Sequence, residues 1–289
     1  MAWLPPPARG ARAVSLHAVG SRRRGLGGHV ADVPNVARMH NYLLDGKDHY
    51  AVDRSAVQDA LEYAPELYRL ARAERLFLLR GVRWLAERAD IDQFLDLGCG
   101  MPIGRAVHES AASGAGRGRR PRVVYVDNDP VVVAHGRALL DEGDSVVTVP
   151  GDVRDPERLL TESRVADVLD FRRPVAVLCS AVLHHLDDGR PQEAVAALRD
   201  VLAPGSALLV SHMCGDHAAP HIAGMLQEVY ATASAPLTLR TREQIAGLFD
   251  GFDLTTPEVA DVAHWPDARP RAGRRTITSY GGIARRPCA

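Results

Sequence analysis

The chain has 289 residues and 35 basic against 36 acidic side chains, for a formal net charge of −1. With 46% hydrophobic and 25% charged residues it is an ordinary globular composition, which excludes a wholly disordered chain. The balanced charge speaks against a nucleic-acid binder acting through a broad basic surface, and no apolar run reaches the roughly 20 residues of a membrane helix.

Residues 1–30 hold the Pro5-Pro6-Pro7 run, the Arg22-Arg23-Arg24 cluster and no acidic residue, and read as a disordered tail. Residues 31–90 read as a helical cap. Pro34 suits the first turn of a helix running to about Leu44, broken by Gly46. Asp53 suits the N-cap of a short helix holding Val57, Ala60 and Leu61. Pro65 opens a longer helix with Leu67, Leu70, Ala71, Phe77, Leu78, Val82 and Leu85 near a 3.6-residue period.

From residue 91 to 289 the pattern changes to short apolar runs alternating with helices. The runs are 94–97, 123–126, 146–149, 175–178 and 207–210, with helices such as Pro130–Leu140 and Pro191–Leu202 between them. Such alternation implies right-handed βαβ units and a parallel sheet. A helix begins near Thr241, with Glu243 and Gln244 in its first turn. Asp253–Val259 and Thr276–Ala284 read as two further strands, adding an antiparallel pair. Gly114–Pro121 reads as a solvated basic loop.

The chemistry concentrates at strand ends. FLDLGCGMP, residues 94–102, carries Asp96 near the end of the first strand, then Gly98 and Gly100, then a helix from about Pro102. Glycines there let the backbone approach a ligand at the carboxyl edge of the sheet. A dinucleotide fingerprint needs a third glycine where Ile103 stands, which speaks against an NAD-dependent oxidoreductase. Asp96 would repel a pyrophosphate but suits a cationic amino group.

Asp127 ends the second strand, positioned to accept two ribose hydroxyls, while Asp129 suits the N-cap of the helix at Pro130. Asp127 lies 29 residues beyond Gly98 against the usual ~20, an excess the Gly114–Pro121 insertion accounts for. Asp152, after the third strand, can accept from an adenine amine, with the Val153 N–H facing the ring. Ser180 to His185, in CSAVLHHL, follow the fourth strand beside the reactive group, where His184 or His185 could deprotonate an acceptor. His212, Cys214, His217 and His221 match no standard zinc spacing, so no metal is expected. Cys99, Cys179, Cys214 and Cys288 form no C-x-x-C pair and fit a reducing cytoplasm. The N-terminus shows no apolar stretch of signal-peptide length.

The glycine motif, the acidic strand ends, LHHL before a helix and LFDGF at 248–252 resemble the class I S-adenosylmethionine-dependent methyltransferases. PNVARMHNYLLDGKDHYAVDR at 34–54, with the segments at 71–85, 94–102, 124–135, 151–156, 174–184 and 280–283, resembles one S-adenosyl methyltransferase family common in high-GC bacteria, whose substrates are largely undefined. The resemblance covers about residues 34–286. It departs from the family at Glu74, usually Asn before the arginine, and at His185, usually hydrophobic or aromatic.

The resemblance implies a Rossmann-like α/β fold: a mostly parallel seven-stranded sheet with an antiparallel last strand, capped by N-terminal helices. It implies S-adenosyl-L-methionine as cofactor, with Asp96, Gly98 and Gly100 at the methionine end. Asp127 and Asn128 would bind ribose, and Asp152 and Val153 adenine. Tyr42, Lys47, Asp48 and Arg75 would come from the cap, with Arg75 or Lys47 pairing with the methionine carboxylate. Lys47 is the one lysine among the 35 basic residues, which makes it a candidate for a place where a compact ammonium is needed. Two functions follow: a methyltransferase acting on a small-molecule O or N acceptor, or a non-catalytic cofactor-binding regulator or sensor. Neither requires a nucleic-acid or membrane partner.

Overall fold

A computed structural model describes residues 32–116, 119–267 and 277–287. The tail with Pro5–Pro7 and Arg22–Arg24, the centre of the Gly114–Pro121 loop, residues 268–276 and Cys288 lie outside the described residues.

Three helices come first: α1 (Val36–Leu43), α2 (Ala51–Tyr63) and α3 (Leu67–Arg88). Asn35 caps α1, its Oδ1 accepting from Ala37 and Arg38 N–H. Asp53 does not cap α2 from outside, as expected, but stands at its third position. From there it accepts from Tyr50 N–H at 2.7 Å and Asn35 N–H at 2.8 Å. It is fully buried, and Arg38 Nε donates at 2.8 Å to Oδ2, the oxygen that also accepts from Tyr50 N–H. The 22 residues of α3 bury one stripe, from Leu70 through Phe77 and Leu78 to Leu85, against the sheet and the cap.

The sheet then builds in βα steps: β1 (Gln93–Leu97), α4 (Val107–Gly114), β2 (Arg122–Asp127), α5 (Pro130–Leu139), β3 (Val146–Pro150), α6 (Pro156–Leu160), α7 (Ser163–Val168), β4 (Ala176–Ser180), α8 (Arg190–Val201) and β5 (Ala207–Cys214). Strands β1 to β5 pair in parallel and are buried on both faces, so their sequences are near-continuous apolar runs. The helix after the glycine turn starts at Val107, not Pro102. Met101–Ala106 first form an irregular loop whose carbonyls bind Arg75.

After β5 come α9 (Pro220–Ala231), α10 (Arg242–Ala246), β6 (Asp253–Leu254), β7 (Ala260–Asp261) and β8 (Thr278–Arg285). Strand order is β3-β2-β1-β4-β5-β8-β6, with β7 also on β8. The long β8 is antiparallel to β5 and slots between it and the two short strands. Of the strand expected at 253–259 only Asp253–Leu254 forms; β7 follows just beyond it, and the two short pieces share one side of β8. Pro257, which has no N–H to donate, lies in the gap. Thr241 caps α10 with Gln244 in a reciprocal box, as expected.

The cap helices pack on α9 as well as on α3: Met39, Val57 and Leu67 share an apolar cluster with Leu226 and Tyr230. Among the described residues no helix is long and apolar enough to cross a membrane.

Candidate functional site

Gly98 and Gly100 follow β1 with φ of +66° and +67°, in the left-handed region that favours glycine. A Cβ on Gly98 would stand 2.3 Å from Val182 Cγ2, whereas one on Gly100 would meet nothing within 4 Å, because Gly100 opens on the cavity. Cys99 N–H donates to Val126 O and Gly100 N–H to Asp127 Oδ2, both at 3.0 Å, tying the turn to the tip of β2. Gly98→Ala therefore combines a left-handed φ with a clash. We expect a cost of about 2 kcal/mol or more and a melting temperature lower by roughly 5 °C, read by thermal unfolding. An unchanged melting point would mean the turn yields freely.

Asp127 is 7% exposed and each oxygen already accepts one backbone N–H, from Gly100 and from Asp129 at 3.0 Å. Burial pushes its pKa up, against the pull of those donors. Asp129 caps α5, as expected, accepting from Val131 N–H at 2.7 Å. Its second oxygen accepts from Asn35 Nδ2 at 2.6 Å, which fastens α1 above the β2 tip. Asp96 is 3% exposed; burial raises it to about 7, with Arg75 opposing and Asp127 adding to the rise. Asp152 is gripped by Arg154 Nε at 2.9 Å and receives Asn128 Nδ2 at 3.2 Å. Although burial pushes it up, those bonds prevail and hold it at about 2.

These groups line one cavity of about 640 Å³ at the carboxyl ends of β1 to β5, under α1, α3 and α9. Of the expected site, Arg75, Asp96, Gly98 and Gly100 meet there with Asp127 and Asn128. Asp152, Val153, Ser180, His184 and His185 complete the wall. Arg75 is no surface ion-pair partner: its Nη2 donates to the Arg105 carbonyl at 2.6 Å. Three expected residues do not line the cavity. Lys47 and Asp48 are exposed on the α1–α2 loop, where Asp48 N–H donates to Asn41 Oδ1. Tyr42 packs edge-on against His49 and Tyr68. Gly46 sits so close to Asn41 that a Cβ there would stand 2.3 Å from its side-chain amide, and Lys47 beside it does not line the cavity.

The two adjacent histidines part company. His184 is buried, and its Nδ1 accepts from Met213 N–H at 3.4 Å; burial pushes it well below its ordinary value. His185 donates from Nδ1 to Pro236 O at 2.8 Å, which leaves Nε2 as a free acceptor. Burial holds it near 4, uncharged. Ser180 Oγ is 3.0 Å from Ser211 Oγ. Arg240 anchors the loop by donating to Leu183 O, Leu186 O and His212 Nε2. His212 is thus part of the scaffold. Among the described residues no three His, Cys, Asp or Glu gather to hold a metal ion.

His40, Asn41, Glu74 and Tyr230, none of them among the expected site residues, also line the cavity. Glu74 had a signal: it stands four residues from both Leu70 and Leu78 on the buried stripe of α3.

Residues 30–287 match the model of a family described as S-adenosyl methyltransferase. A candidate methyltransferase of Thermobifida fusca YX is 36% identical, with a TM-score of 0.81 over 89% of this chain and 96% of that one. A DUF574 family protein of Streptomyces avermitilis MA-4680 is 35% identical, with a TM-score of 0.81 over 89% of this chain and 99% of that one. No curated protein matches the chain in sequence.

Proposed function

Because the chain belongs to the S-adenosyl methyltransferase family, we propose that it methylates an oxygen or nitrogen of a small-molecule acceptor. It is an S-adenosylmethionine-dependent methyltransferase with a Rossmann-like fold; the acceptor class and the residue roles are the proposal. The observation that carries it is the buried Asp127 carboxylate at the tip of β2, facing a roofed cavity beside two left-handed glycines. About 640 Å³ lies within the range of small-molecule sites.

The donor and acceptor set suits the cofactor. Asp127 keeps lone pairs beyond its two backbone N–H bonds, and two ribose hydroxyls would fill them. Asp96 would face the amino group and Arg75 the carboxylate of the methionine end. Gly100 leaves room for a ligand against the backbone. Val153 would pack on adenine, with Asn128 and Asp152 at its polar edge once Arg154 turns outward. Tyr42, Lys47 and Asp48 are not proposed as contacts, since none lines the cavity.

When bound, S-adenosylmethionine supplies a methyl already activated by its sulfonium charge. The chain's part is to orient the acceptor and exclude water, which the α1–α3 and α9 roof serves. His185 Nε2 would accept a hydrogen bond from an acceptor hydroxyl or N–H and orient it, while His184 holds the loop to β5. The thiols of Cys99, Cys179 and Cys214, all free, support a cytoplasmic location.

Calorimetry is expected to give micromolar binding of S-adenosylmethionine and S-adenosylhomocysteine and none of NAD. Asp96 is raised to about 7, so below that value it is neutral and offers an ammonium no counter-charge. S-adenosylhomocysteine affinity should therefore rise as pH climbs through about 7, and Asp96→Asn should flatten the rise. Labelled methyl donor with a small-molecule cell extract should yield a labelled small product. A preference for NAD, or no binding of either adenosyl compound, would sink the reading.

A further inference from the structure

The cavity has a second end, away from Asp127. Sheet order puts β2 on one side and β8 on the other, with β1, β4 and β5 between. At about 4.8 Å per strand the two are roughly 19 Å apart. At the β8 end Glu74 descends from α3, 1% exposed, and lines the cavity. Its Oε1 accepts from Ser279 Oγ at 2.7 Å. Its Oε2 is buried with no hydrogen-bond partner.

An ionised carboxylate oxygen buried without a donor is costly, so this one is suited to a partner that arrives with the ligand. Among the described residues no cation answers it. The groups facing it are the Ser279 hydroxyl from β8 and the Tyr230 phenol from α9. The neighbouring Arg75 gives its Nη2 to the Ile103 and Arg105 carbonyls instead. His40 from α1 and His185 after β4 line the same cavity, and burial keeps both near 4 and uncharged. This end therefore offers one acidic group among neutral ones.

We propose that Glu74 Oε2 receives a basic nitrogen of the methyl acceptor, an amine or a nitrogen heterocycle, so that the substrate is a nitrogen base rather than a phenol or an acid. This rests on reading the cavity as a methyl-acceptor site. A protonated nitrogen supplies both the missing donor and the missing counter-charge. A neutral hydroxyl supplies only the donor, and an anion neither.

The hydrogen bonding accommodates the proton that such a substrate must shed. The N–H bond breaks, an O–H bond forms on Oε2, and the electron pair stays on nitrogen, free to attack. The Ser279 hydroxyl can go on donating to Oε1, or turn to His212 O at 3.1 Å if the proton settles on the other oxygen. Burial raises the Glu74 carboxyl to about 7, closer to the range of a basic nitrogen than a free glutamate is.

The test uses the full chain saturated with S-adenosylhomocysteine and three probes with one ring: benzylamine, benzyl alcohol and benzoate. Ligand-observed NMR at millimolar concentration should show benzylamine binding ahead of the alcohol, and benzoate excluded. Glu74→Gln should weaken benzylamine by roughly ten- to a hundredfold, the loss of one charge-assisted hydrogen bond, and leave S-adenosylhomocysteine affinity as it was. That retained affinity also certifies that the variant is folded. Were the variant not to fold, the ranking of the three probes on the unaltered chain would still decide. Equal binding of the probes, no binding of benzylamine, or undiminished binding to folded Glu74→Gln overturns the proposal. If the unaltered chain does not bind S-adenosylhomocysteine, it is the methyltransferase-site reading that fails.

Discussion

Asp127→Ala is expected to lower S-adenosylhomocysteine affinity by at least a hundredfold, taking a micromolar site to the millimolar range. Each hydroxyl bond to a charged acceptor contributes about 1.5–3 kcal/mol, and a ribose would make two. The same substitution leaves the Gly100 and Asp129 N–H groups without their acceptor, loosening the glycine turn. Asp127→Asn should lose less, because the amide oxygen still accepts while its NH₂ faces one of those donors. Folding should suffer far less than binding, since burial already disfavours the Asp127 charge. Calorimetry and thermal unfolding on the same samples separate the two effects. Affinity within threefold of the unaltered chain would remove Asp127 from the cofactor site.

The second large effect lies in the cap. Arg38→Met should cost about 3–5 kcal/mol, the usual result of leaving a buried charge alone, and lower the melting temperature by roughly 10 °C. Asp53 is fully buried and Arg38 is 2% exposed, with Nε at 2.8 Å from the carboxylate. The guanidinium also lies 4.8 Å from the Tyr50 ring centre and donates from Nη2 to Val33 O at 2.9 Å. The double variant Arg38→Met with Asp53→Leu should recover part of the loss, because no buried charge then remains unpaired. Tyr50 and Asn35 N–H would still want an acceptor, so recovery should be incomplete. If Arg38→Met melts with the unaltered chain, the pair contributes nothing to holding the cap.

The five parallel strands could be read from sequence because each is buried on both faces, which leaves a run of apolar residues and little else. The Asp129 cap of α5 could be read too, because helix capping is local and Pro130 marks where the helix begins. What the residue types leave open is set by partners and turn geometry. Nothing near His184 and His185 says which one a Met213 N–H will occupy and which will keep a free nitrogen. Arg154 lies two residues from Asp152, yet its grip on that carboxylate follows from a turn geometry that residue types do not fix. Lys47 drew notice as the lone lysine, but rarity says nothing of direction, and the loop carries it to the outside. Nothing local at 253–259 shows that pairing stops after Leu254; only the register with β8 reveals the gap.

The placement of β8 sets an order on how the chain can assemble during synthesis. Among the described residues the strand latest in the chain, β8, is not at the edge of the sheet but between β5 and β6. The first helices lean on it: Glu66 accepts from Ile277 N–H across 211 residues, and Glu74 from Ser279 across 205. These contacts of α3 must therefore wait until Ile277 to Ser279 have been made, although α4, α9, β4 and β5 can cover the helices earlier. Such long-range closure is slow and leaves surface open to aggregation meanwhile. A nascent chain stalled before Thr278 would carry the glycine turn and Asp127 complete, yet lack the floor beneath Glu74.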